Sequence, residues 1–93
     1  MVQFLYAISY DHRAPEETDA PVTELSVALA VKGFHEALRQ RMRELDEGSA
    51  VTLTDNGLTA IRSTIRPDMI DEVVQRRARR YHLTARLETV TTN

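Results

Sequence analysis

Ninety-three residues, 42% hydrophobic and 28% charged, suffice for one domain with a single core, and they exclude both a two-domain chain and a composition too polar to collapse. The absence of cysteine excludes disulfides, thiolate catalysis and thiolate metal sites, so packing or association must hold the fold. The net charge of −2 is unevenly spread: residues 11–24 carry five acids against Arg13, giving −4, whereas residues 62–86 carry seven arginines against Asp68, Asp71 and Glu72, giving +4.

Met1 to Tyr10 alternates, with Val2, Phe4, Tyr6, Ile8 and Tyr10 on one side and Gln3, Leu5, Ala7 and Ser9 on the other, which predicts a strand with its aromatic side inward. This start has no basic region and no long apolar run, so neither a signal peptide nor a membrane span is expected and residence is expected to be cytoplasmic. An acidic loop with two prolines is expected over 11–22. In "TELSVALAVKG", Leu25, Val27, Leu29 and Val31 alternate with polar and small residues, predicting a second strand that Gly33 ends. Phe34, Leu38, Met42 (or Arg41) and Leu45 then recur at helical spacing, and Gly48 is placed as the C-terminal cap.

Two further alternating runs flank Asn56-Gly57, a pair that favours the positive φ of a tight hairpin turn. Pro67 and Asp68 open a second helix whose inner side carries Ile70, Val73, Val74, Ala78 and Tyr81. The run "LTARLETVT" predicts the last strand. The expected class is therefore α+β: a ferredoxin-like βαββαβ sandwich over residues 23–91, preceded by an extra N-terminal strand, with two helices on one face of an antiparallel sheet. Residues 1–93 are read as a single domain.

Two short stretches resemble known families. "LTDNGLTAI" is similar to the junction of winged-helix regulators in which Leu-Thr-x-x-Gly leads into a helix, here with Leu58, Ile61 and Ile65 as its stripe. Those regulators carry two or three helices before that point, and only one is expected here. "LYAISYD" resembles the first strand of the small ferredoxin-fold nuclease-like subunits of CRISPR spacer integration, where the strand leads into a helix. Here a loop and a second strand are expected to follow it, so Asp11 is not assigned a catalytic role.

The sharpest local feature is "QRRARRYH". At about 100° per residue, Arg76, Arg79 and Arg80 share an exposed stripe opposite the apolar side, with Arg77 at the border, and such a stripe can grip phosphates. Ordinary helix chemistry accounts for part of it: Glu72 stands four residues before Arg76, and Arg79 and Arg80 occupy the last turn, where cations complement the dipole. Arg39, Arg43 or Arg86 would extend the stripe if folding brought them alongside. His12, His35 and His82 have no metal-ligand spacing, the serines lack a nucleophile elbow, and the acids do not converge; no metal, cofactor or catalytic residue is assigned.

A sheet face bearing Leu5, Ala7, Ala28, Ala30 and Val90 is expected to be small-residue and half polar, suited to docking a second sheet or helix. These features predict a non-enzymatic cytoplasmic protein-binding module, an adaptor, inhibitor or regulatory subunit, acting as a homodimer through its sheet face or edge. The alternative is a nucleic-acid-binding protein using Arg76, Arg79 and Arg80, and a cryptic enzyme stands third.

Overall fold

The computed structural model describes residues 1–10 and 23–92. The expected acidic loop at 11–22 lies outside the described residues. The elements run β1 (Val2–Tyr10), α1 (Glu24–Leu45), β2 (Ala50–Leu53), β3 (Thr59–Ser63), α2 (Pro67–Arg80) and β4 (Leu83–Thr92). The strands form one sheet in the order β2-β3-β1-β4, every neighbouring pair antiparallel. The class is α+β, with both helices contributing to the same core as one face of the sheet.

Two expectations are overturned at the N-terminal end. The strand expected over "TELSVALAVKG" is the first half of α1, and the N-terminal strand is not an extra: β1 is a central strand, hydrogen-bonded to β3 on one side and β4 on the other. The βαββαβ unit therefore begins at Val2 rather than at residue 23. The cause is a sequence that satisfies both periods. Leu25, Val27, Leu29 and Val31 alternate, but Val27, Val31, Phe34, Leu38 and Met42 also step at three and four residues, and from Val31 onward that helical row packs into or against the core. Thr23 supplies the start, its Oγ1 accepting from the Ser26 amide at 3.1 Å. Leu25 and Leu29, on the opposite side, remain exposed.

Gly33 does not break α1. A Cβ there would sit 2.8 Å from the Tyr81 ring, so the glycine lets α1 and the end of α2 approach closely. The helix ends at Asp46, whose backbone is extended, rather than at a glycine in left-handed conformation. Gly48 and Ser49 instead donate to the Asp46 carboxylate, as does Thr64 from beyond β3. The Gly48 amide bond, with help from the Thr64 and Ser49 hydroxyls, holds the Asp46 carboxyl below the usual carboxylate range.

The expected hairpin is present, but its turn is longer than a two-residue one. Thr54 and Leu58 pair across the loop, and only Gly57 takes positive φ, at 79°. Asn56 does not, so the loop is of the three-residue kind in which a type I turn is followed by a left-handed glycine. "LTDNGLTAI" therefore folds as strand, turn and strand, and Leu58, Ile61 and Ile65 do not form a helical stripe.

The second helix opens at Pro67 as expected and buries Ile70, Val74 and Ala78, while Val73 and Tyr81 of the expected inner side are half-buried and Tyr81 caps the helix. It stops where His82 adopts φ of 58°, the left-handed conformation usually given to glycine. Replacing His82 with glycine is expected to raise stability by about 1 kcal/mol, read as a higher denaturation midpoint with the transition slope unchanged.

Phe4 and Tyr6 from β1, Phe34, Leu38 and Met42 from α1, Ile61 from β3, and Ile70 and Val74 from α2 make the centre of the core. Tyr6 is 1% exposed, and its hydroxyl donates to Asp71 Oδ1 at 3.0 Å. Burial, and then the Asp71 carboxylate, push its ionisation well above the usual phenol range. Gln75 beside it donates to the Ala85 carbonyl at 2.9 Å, so one polar chain ties β1, α2 and β4 together.

Candidate interaction surfaces

The three expected arginines meet different partners. Arg76 pairs with Glu72 at 3.0 Å along the exposed helix surface, the i, i+4 contact read from the sequence, worth about 0.2–0.5 kcal/mol. Arg79 turns back to the Gln75 carbonyl of its own helix at 3.4 Å. Arg80 lines a groove of about 220 Å³ between the helices with Ala37, Gln40, Arg41, Glu44 and Arg77. An adjoining groove is lined in part by Arg41, Arg76 and Arg77.

The cationic member supplied by α1 is thus Arg41, at the position the sequence left ambiguous with Met42. Met42 takes the core, and Arg41 pairs with Glu44 at 3.1 Å. The other suggested supporters are elsewhere. Arg39 and Arg43 border β2 beside Ser49, Ala50 and Val51, while Arg86 pairs with Glu88 on β4 at 2.6 Å.

The five residues expected to share a sheet face fall on three surfaces. Leu5 and Ala7 lie on the face turned away from Phe4 and Tyr6, and no described element packs over that face. Ala28 and Ala30 belong to α1. Val90 stands opposite Phe4, on the helix-side face, yet is 46% exposed. Its placement follows from an irregularity in the β1–β4 ladder: Tyr6 pairs with Leu87 and Leu5 with Thr89, leaving Glu88 as the extra residue. A bulge inverts the alternation beyond it, so Val90 joins the face of Leu83, Ala85 and Leu87 instead of opposing it.

The two edges of the sheet differ. The outer strand β2 has four residues, and Arg39 reaches from α1 to donate to its Val51 carbonyl at 3.1 Å. The other outer strand, β4, has ten residues and pairs as a strand, among the described residues, only with β1, while Gln75 reaches from α2 to its Ala85 carbonyl. From Arg86 to Thr92 its side chains are exposed, including Leu87 at 42%. A short outer strand offers little to a further strand; a long one offers a row of donors and acceptors.

His35, absent from the expected sites, is buried at 7% exposure in the middle of α1, with Nε2 2.8 Å from Thr59 Oγ1. Burial and then the nearby Arg39 charge lower its pKa below the ordinary histidine value. It spans the helix layer and the sheet, which makes it a structural anchor. Among the described residues, no group of three or more His, Asp or Glu side chains could hold a metal ion, and no helix is long and apolar enough to cross a membrane.

Comparison of the chain with protein-family models, with curated proteins and with solved structures finds no match.

Proposed function

We propose that this chain is a non-enzymatic protein-binding module of ferredoxin-like architecture, an adaptor, inhibitor or regulatory subunit of the cytoplasm, that acts as a homodimer through the β4 edge of its sheet. The architecture is supported by the βαββαβ order and by the antiparallel arrangement β2-β3-β1-β4. It is also supported by the stretch "LYAISYD", since β1 is followed in the element order by α1, as in the integration subunits it resembles. Asp11 lies outside the described residues, and no catalytic role is carried to it.

The observation that carries the binding reading is the asymmetry of the edges: β2 has four residues, while β4 has ten, is exposed from Arg86 to Thr92 and is rich in threonine and valine towards its end. Light scattering across a wide concentration range is the test. The expected mass rises from the 10.6 kDa of one chain towards twice that value, and a mass fixed at 10.6 kDa throughout would contradict self-association.

A second reading, nucleic-acid binding, draws on the interhelical groove rather than on the stripe expected from sequence. Arg77 and Arg80 have no ion-pair or hydrogen-bond partner among the described residues, and both line the groove with Arg41. Such binding would be strongly salt-sensitive, which separates it from strand pairing.

A further inference from the structure

We infer that two copies pair antiparallel along β4 in one register, centred on Leu87, to make a continuous eight-stranded sheet. This inference rests on the homodimer reading and adds the contact that specifies it. The partner is a second copy of this chain because the charges on the β4 edge complement themselves about a twofold axis. With Leu87 opposite Leu87, Arg86 of each chain faces Glu88 of the other, so the symmetric pairing creates two opposite-charge contacts at once.

Neighbouring registers lose this match. A pairing centred on Arg86 sets that arginine against itself, and one centred on Glu88 sets that carboxylate against itself; like charges directly opposite on paired strands are destabilising. Arg86 and Glu88 already lie together within one chain at 2.6 Å, so they occupy the same side of the strand. A twofold axis perpendicular to the sheet keeps them on that side in both copies. Charges and a bulge ordinarily discourage edge pairing. Here, of the registers that set these charges against each other, only the one centred on Leu87 opposes unlike signs.

The exposed Leu87 gains a cover in this arrangement. It is directed to the helix-side face, opposite Tyr6, and at the centre of the pairing it meets its own counterpart. The β2 edge is the poorer partner: it has four residues against ten.

The chain has no cysteine, so a single introduced thiol reports the register without interference. Leu87→Cys is expected to form a disulfide-linked dimer under mild oxidation, because facing residues on paired strands bring their Cβ atoms within about 5.5 Å, close to disulfide reach. Thr84→Cys, three residues from the axis and so far from its own counterpart, is expected to cross-link far less. The charge test uses two exposed single variants. Arg86→Glu and Glu88→Arg should each dimerise about tenfold more weakly than the parent. Mixed together they should form a heterodimer, since each then presents the charges the other needs, although neither chain has recovered its internal pair.

Cross-linking at position 87 together with recovery in the mixture establishes the register. A parent that dimerises while position 84 cross-links better than 87, or while the mixture stays as weak as either variant, refutes the register and leaves the homodimer reading standing. A parent that remains monomeric at every concentration overturns both.

Discussion

Phe34→Ala is expected to cost about 3–5 kcal/mol of folding stability, measured as a fall in the urea midpoint. Phe34 is fully buried where α1 crosses the sheet, packed in one cluster with Phe4, Leu38, Ile61 and Val74, and its ring lies 5.6 Å from that of His35. Truncation removes the transfer free energy of the ring and leaves a cavity that a helix pinned to a sheet closes only in part. A domain of this length has about 5–15 kcal/mol in all, so this one change consumes a large share of the margin. Leu25→Ala on the same helix is the contrasting case: its side chain is exposed, and a change within about 0.5 kcal/mol is expected. Equal losses from the two would mean that the first half of α1 is packed as the alternating pattern implied, with Leu25 inward.

Thr59→Val is expected to cost about 1–3 kcal/mol, because it keeps the shape of the side chain while leaving the buried His35 nitrogen without its 2.8 Å partner. The same histidine gives stability a pH dependence. Its pKa is lowered in the folded state, so below its ordinary value of about 6.5 the unfolded chain takes up a proton that the folded chain resists. Stability is therefore lost as pH falls from that value towards the folded pKa, and none of this contribution is lost above it. His35→Gln should flatten the stability profile over that interval. A profile as steep as the parent's would assign the acid sensitivity to other groups.

Much of the architecture is readable from residue pattern alone. The β1 alternation, the hairpin about Asn56-Gly57, the proline at the start of α2 and the strand after it each have a local cause strong enough to survive tertiary packing. The first half of α1 is different. Leu25, Val27, Leu29 and Val31 fit a strand as well as a helix, and the choice is made by the row that continues through Phe34, Leu38 and Met42, together with the Thr23 cap. An alternation of leucine and valine ending at glycine concealed a helix because Gly33 serves a contact with Tyr81, not a break.

The surfaces were legible only in part for a related reason. Glu72 and Arg76 are neighbours on one helix, and that pairing follows from spacing. Arg41 meets Arg77 and Arg80 across two helices, which no local spacing encodes. Val90 changes face because one extra residue, Glu88, enters the β1–β4 ladder, and a bulge of that kind leaves no mark in an alternating run.

Hydrogen exchange measured at low and high protein concentration tests the β4 pairing most directly, because it reports where a second strand adds protection. Backbone amides of Leu83–Thr92 are expected to exchange more slowly at high concentration, while those of Ala50–Leu53 at the opposite edge do not change. Exchange in β4 that is equally fast at every concentration, in a sample that light scattering finds to be dimeric, would place the contact elsewhere and contradict the edge as the binding surface.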